Sequence, residues 1–171
     1  PVLNKYAREW AEANGAKYLP FGLTGTPLVT AGIVDLCRRV TESIGCDPTE
    51  SYCAVSTGTM IRALQIGWPE SRAVGVAVAR NMHDGEIGDA VVEPHPYAFL
   101  KNEDPEHSPP FDTTANYDAK AWSAFKIMGE PGSIFINVGS DKHIERNRHS
   151  VELDISLVCS YRDWGDMGDL S

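Results

Sequence analysis

The chain has 171 residues, 42% hydrophobic and 23% charged, which suits one globular domain able to bury a core without disulfides or metal. Twenty-four acidic residues against 15 basic ones give a formal charge of −9, which disfavours sequence-independent binding to nucleic acid. No apolar run reaches the roughly 18 residues of a membrane span, and the opening Pro-Val-Leu-Asn-Lys-Tyr lacks the basic and apolar regions of a signal peptide. The expectation is a cytoplasmic protein with no membrane partner. Cys37, Cys46, Cys53 and Cys159 lack metal-site or C-x-x-C spacing and read as thiols of a reducing compartment. Arg38-Arg39 and Arg146-Asn147-Arg148 read as solvated surface charge.

Tyr6, Ala7, Trp10, Ala11 and Ala13 recur near helical spacing and predict a helix over 4–14, closed by Gly15. Residues 17–20 are short and extended, and Gly22, Gly25 and Pro27 mark a loop. Val29, Ile33, Leu36, Cys37, Val40 and Ile44 follow a 3.6-residue period and predict an amphipathic helix over 28–44, ended by Gly45. Residues 51–55 read as a buried strand and 60–66 as the next helix, closed by Gly67 and Trp68-Pro69. The run 73–79, Ala-Val-Gly-Val-Ala-Val-Ala, has no polar alternation, as expected of a strand covered on both faces of a parallel sheet. Val91-Val92 is a weak strand signal. Residues 101–115 form a long polar loop of the kind that often serves as a lid or binding loop. A helix over 117–128 and an apolar strand over 133–138 follow. Residues 151–158 alternate in the manner of a half-exposed edge strand, with an acidic tail behind it. This order predicts an α/β fold with a mainly parallel sheet flanked by helices, a single domain over 1–150, and an edge strand and tail over 151–171.

Three places could carry chemistry. Ser56, Thr57, Gly58 and Thr59 stand between a buried strand and a helix, where free backbone N–H groups and the helix dipole favour a phosphate. The lysine and glycine spacing of a Walker loop are absent, and simple capping of the helix by Ser or Thr is the plain alternative. Asn137, Gly139 and Ser140 close the last buried strand and could face the same crevice. Tyr117 and Lys120 are three apart at a helix start, which predicts a shared face. The histidines, His83, His95, His107, His143 and His149, have no i, i+4 partner, so no metal site is expected. No G-x-S-x-G elbow is present, though a Ser/His/acid triad stays open.

The order of the pieces adds to this. Residues 19–23, then a long helix, then Tyr52-Cys-Ala-Val-Ser-Thr-Gly-Thr59, Arg62-Ala-Leu-Gln65, Trp68-Pro69 and Val74-Gly-Val-Ala-Val78 appear in sequence. Asn116-Tyr117-x-x-Lys120-Ala-Trp122 and Ile134-Phe-Ile-Asn137-Val follow the loop. This series, over residues 5–140, resembles the C-terminal half of fold-type II pyridoxal-phosphate proteins, the tryptophan-synthase β-like group. The aminocyclopropane-carboxylate deaminase and cysteine desulfhydrase-like branches, including short phage-borne forms, match best. The resemblance implies half of that fold and pyridoxal 5′-phosphate as cofactor. It implies that residues 56–59 hold the phosphate, that Asn137, Gly139 and Ser140 lie near the pyridine ring, and that Tyr117 and Lys120 border the substrate site. The chemistry implied is lyase or deaminase action on a small amino acid.

The sequence departs from that family in two respects, the first being that the small domain that closes on the substrate has no counterpart. None of Lys5, Lys17, Lys101, Lys120, Lys126 or Lys142 stands where the family's Schiff-base lysine should, and its N-terminal half has no counterpart here. The expectation is a split-enzyme half completed by an N-terminal half on another chain, a fragment, or an inactive cofactor-binding descendant. A homo-oligomer is expected, because a half fold exposes apolar surface. The alternatives are a phosphoribosyltransferase-like enzyme, weakened by Ala54-Val55 where an acidic pair would stand, and a non-enzymatic oligomerising domain that binds partners.

Overall fold

The structure is a computed structural model that describes residues 2–140 and 159–161. The expected edge strand over 151–158, the basic cluster at 146–148, Lys142, His143, His149 and the end of the chain lie outside the described residues. Among the described residues four α-helices and five strands follow in this order: α1 (Val2–Ala13), α2 (Pro27–Ile44), β1 (Glu50–Val55), α3 (Thr59–Gly67), β2 (Arg72–Ala77), β3 (Val91–Pro94), α4 (Asp118–Met128), β4 (Ile134–Ile136) and β5 (Cys159–Tyr161). The sheet order is β3-β2-β1-β4-β5. The first four strands are parallel, and β5 runs antiparallel to β4, with Ile134 opposite Tyr161. The fold is therefore α/β, as the sequence predicts.

The two faces of the sheet carry different cores, because successive strand residues point opposite ways. Cys53, Val55, Ala73, Ile134 and Ile136 face α2 and α3, where Leu36, Val40, Ile61 and Leu64 meet them. Tyr52, Ala54, Val74, Val76 and Phe135 face α4, whose Ala121 and Phe125 complete the second cluster. The result is a three-layer α/β/α arrangement, which explains why β1 and β2 read as unbroken apolar runs. The breaker Trp68-Pro69 does more than end α3. Trp68 is fully buried, and its indole N–H donates to Thr41 Oγ1 on α2 at 2.9 Å.

A buried acid anchors the amino ends of the central strands. The Glu50 carboxylate accepts from Arg72 Nη1 (2.6 Å), Ser133 Oγ (2.9 Å), Glu130 N–H (3.1 Å) and the Tyr52 hydroxyl (3.1 Å). Burial pushes its carboxyl up, but these four donors outweigh burial and hold it below its ordinary value. Glu50 is a structural tie at the end of the sheet opposite the crevice described next.

Among the described residues no helix is long and apolar enough to cross a membrane.

Candidate functional site

The strand order fixes where a ligand would sit. From β1 the chain passes through α3 to β2 and β3 on one side, then returns through α4 to β4 on the other. The connections therefore diverge between β1 and β4, and a crevice opens at the carboxyl ends of these two strands. Its cavity is about 240 Å³ and is lined by residues 54–60, with Gly22, Leu23, Val29 and Ile33 on one side and Tyr117 and Val138 on the other.

The turn after β1 has the geometry of an anion cradle. Gly58 takes the N-cap position of α3 with φ +76°, a left-handed conformation that glycine adopts freely. It offers no side-chain cap, and no other described side chain caps α3. The first helical bond to the turn runs from Arg62 N–H to Gly58 O, so the N–H groups of Thr59, Met60 and Ile61 precede the ladder and gather at the positive end of the helix dipole. The capping alternative is thus not how this turn is built. Its hydroxyls are occupied elsewhere: Thr59 Oγ1 donates to the Gly22 carbonyl at 2.7 Å and lies 3.4 Å from Thr57 Oγ1. Ser56 Oγ accepts from the Tyr117 hydroxyl at 3.0 Å.

Two backbone segments press on this turn. A Cβ on Gly58 would overlap the Glu86 carbonyl oxygen, and one on Gly22 would overlap the Thr57 side chain, so both approaches require glycine. The 80–89 loop is held there from both ends. Arg80 forks onto Glu86 at 2.7 and 2.9 Å, while Gln65 of α3 donates to Ile87 O and accepts from Asp89 N–H. The Arg80 guanidinium, with the His83 N–H, holds the Glu86 carboxyl at about 2.

The remaining predicted residues divide. Tyr117 reaches the crevice, where burial pushes its phenol up and the bond to Ser56 opposes that only in part. Lys120 does not: it is fully buried, donates to Ala98 O at 2.8 Å and Phe99 O at 3.3 Å, and so ties the segment just before the long loop to α4. Tyr117 precedes the helix, with φ −130° and ψ −86°, so the i, i+3 rule that would align it with Lys120 does not apply. Asn137 is turned to the loop before α4, where Thr113 Oγ1 lies 3.0 Å from its Oδ1 and its amide donates to Asp112 O at 3.0 Å. Gly139 abuts Thr114 and Asp118, and Ser140 is half-buried, so within 137–140 it is Val138 that lines the cavity. Asp118, fully buried at the start of α4, accepts from Val138 N–H at 3.3 Å and positions this exit. Asp118 stands as an unspecified position in the Asn116-Tyr117-x-x-Lys120 motif, and the sequence alone assigns it no role.

A second polar group, unforeseen in the sequence, holds the long loop in place. The buried Glu103 carboxylate accepts from Asp104 N–H at 2.9 Å and lies 2.8 Å from Ser123 Oγ and 2.9 Å from His95 Nε2. His95 Nδ1 accepts from Tyr97 N–H at 3.2 Å, so Nε2 carries the proton and donates to Glu103. Serine, acid and histidine meet here, but Ser123 touches the acid and both ring nitrogens are engaged. No base is left to activate a nucleophile, so this is not a catalytic triad. Beside it lies a cavity of about 320 Å³, bordered by Val76, Glu93, Tyr97 and Met128. Among the described residues no group of three His, Cys, Asp or Glu side chains could hold a metal.

Compared with known proteins, the chain matches no family model and no curated sequence. The case for a function therefore rests on the turn, the crevice and the order of motifs.

The donors fit a phosphate: N–H groups at an uncapped helix start, hydroxyls beside them, and a crevice at the strand switch. They do not include a lysine for an aldehyde. Lys5, Lys17, Lys101, Lys120 and Lys126 are described, and none lines this cavity.

Proposed function

We propose that this domain holds the phosphate end of pyridoxal phosphate, as the C-terminal half of a lyase- or deaminase-type enzyme acting on a small amino acid. The lysine that carries the cofactor comes from outside the described residues. The observation that carries the reading is the open start of α3: Gly58 caps it without a side chain, at the carboxyl end of β1 and facing the switch between β1 and β4.

In this reading the N–H groups of Thr59, Met60 and Ile61 and the hydroxyls of Ser56 and Thr57 hold the phosphate, while the Thr59 hydroxyl stays on the Gly22 carbonyl. Tyr117 fixes Ser56 from the opposite wall. Val29 and Ile33 give one side of the crevice an apolar lining, and Val138 does so on the other. Asp118 sets the course of 137–140 along the other edge, through Val138 N–H. When bound, the cofactor supplies an electron sink for bonds broken at the amino-acid α-carbon.

Calorimetric titration tests this reading. Pyridoxal phosphate should bind with a dissociation constant of tens to hundreds of micromolar, roughly −5 to −6 kcal/mol, and pyridoxal at least tenfold more weakly. Equal binding of the two would remove the phosphate from the account. Binding of ribose 5-phosphate with magnesium, but not of pyridoxal phosphate, would favour a phosphoribosyl ligand instead.

A further inference from the structure

Residues 95–103 form a compact loop whose two ends meet. At its base His95 N–H donates to Ala77 O at the end of β2, and Glu103 N–H donates to Ala115 O ahead of α4. Side chains close the same base, with His95 Nε2 2.9 Å from Glu103 Oε2. At its tip Lys120 of α4 holds the Ala98 and Phe99 carbonyls, and the Phe99 ring meets Tyr117 edge to face, with centroids 6.4 Å apart and planes at 90°. The tip is otherwise open to solvent, Phe99 being 41% and Leu100 85% exposed. Tyr117 is the residue whose hydroxyl reaches Ser56 in the turn after β1. A continuous series of contacts thus runs from the His95 imidazole, through the Tyr97 N–H and Phe99, to the crevice.

We propose that this loop is a proton-operated strap: with His95 neutral it holds Tyr117 on Ser56, and a proton on His95 releases that hold. The partners of the ring require the neutral form. Nε2–H donates to Glu103, so Nδ1 is bare and accepts from Tyr97 N–H at 3.2 Å. A second ring proton would set two N–H groups against each other and break the turn that leads from the base to Phe99. The ring borders the cavity of about 320 Å³, where it can tilt away from Tyr97 while Nε2 keeps Glu103. The other charged groups around it are Glu93 of β3 and His107, which border the same cavity, Lys120 of α4, and Lys101, whose Nζ lies 3.6 Å from the centroid of the Tyr97 ring. Burial holds His95 below its ordinary value of 6.5, Glu103 opposes this, and the charge of Lys120 adds to it. The strap is therefore closed at about pH 7.5 and opens in mild acid.

Amide and imidazole NMR of the ligand-free chain, from about pH 8 to about pH 5, tests this. The His95 ring should titrate with a midpoint below 6.5, and the amides of Tyr97, Phe99, Tyr117 and Ser56 should move with that same midpoint. His95→Gln should abolish the shared titration. Phe99→Ala, a change at a partly exposed side chain, should leave the titration at Tyr97 and remove most of it at Tyr117 and Ser56, and it decides alone if the glutamine variant does not fold. Amides of Tyr117 and Ser56 that stay still while Tyr97 titrates, or that move equally in Phe99→Ala, overturn the strap, as does a His95 ring that takes no proton in this range. Regulation of the ligand rests on the phosphate reading and is measured apart from it. At about pH 5.5, where the ligand's own titration is common to both proteins, His95→Gln should bind pyridoxal phosphate roughly threefold more tightly than wild type. Equal affinities would overturn the regulatory role. Absence of binding to both would fault the phosphate reading, with the strap still decided by the ligand-free spectra.

Discussion

Tyr117 and Ser56 stand 61 residues apart in sequence, yet the Tyr117 hydroxyl donates to Ser56 Oγ across 3.0 Å. The bond joins the start of α4 to the turn that follows β1, and so couples the two walls of the crevice. Tyr117→Phe removes this donor while keeping the ring. The expected loss is about 1 kcal/mol of stability, or roughly 2–4 °C in melting temperature. Binding of pyridoxal phosphate should weaken several-fold alongside, because Ser56 is then free to rotate. Scanning calorimetry and titration of the same variant check both.

Gly58→Ala should be far more damaging than its size suggests. An alanine at φ +76° carries about 1–2 kcal/mol of backbone strain, and its methyl would overlap the Glu86 carbonyl oxygen. The turn or the 80–89 loop must move, so a loss of about 3 kcal/mol or more is expected, together with loss of phosphate binding. A denaturant midpoint within experimental error of wild type would show that Glu86 does not press on this turn.

Stability should fall in mild acid through His95. Burial holds this imidazole below its ordinary value of 6.5, opposed only in part by Glu103. A folded value below the unfolded one means that the unfolded chain binds the extra proton first. The contribution is therefore complete above about pH 6.5 and is lost as pH falls through the folded value. Protonation would also place a proton on Nδ1, facing the Tyr97 N–H. The depressed carboxylates Glu50 and Glu103 act lower, below about 4.5, so the two windows separate. Urea midpoints between pH 7.5 and 5 (about one urea series per half unit) should slope downward, and His95→Gln should flatten that slope.

Lys120 should not be the lysine that reacts with the cofactor. It is fully buried, burial pushes its pKa down, and its amine is held by the Ala98 and Phe99 carbonyls away from the crevice. Borohydride treatment with pyridoxal phosphate, followed by peptide mapping, should leave Lys120 unlabelled. Lys120→Met should cost about 1–3 kcal/mol by leaving two carbonyls without their donor, and cofactor binding should persist in the folded fraction. A labelled Lys120 would make this chain self-sufficient.

The sheet was legible because β1, β2 and β4 are covered on both faces, which forces largely apolar runs, read at 51–55, 73–79 and 133–138. β3 left only Val91-Val92 as a trace, since its side chains are just half-buried and the edge needs fewer apolar groups. The turn at 56–59 was legible in place, though whether Ser or Thr caps α3 needed the backbone: the N-cap is Gly58, which has no side chain to cap with. The divergence of Tyr117 and Lys120 was hidden because it turns on the first helical residue of α4, Asp118, one beyond Tyr117. The Glu103 network left no sequence signal, because its members, at 95, 103 and 123, are brought together only by the path of the loop.

The most direct test of the central claim is site-resolved. In a two-dimensional amide NMR spectrum, pyridoxal phosphate should shift the N–H signals of Thr59, Met60 and Ile61 most strongly, and pyridoxal should leave them in place. If both ligands perturb the same amides, or if the largest shifts fall around Glu103 and Tyr97 instead, the turn after β1 is not the phosphate cradle.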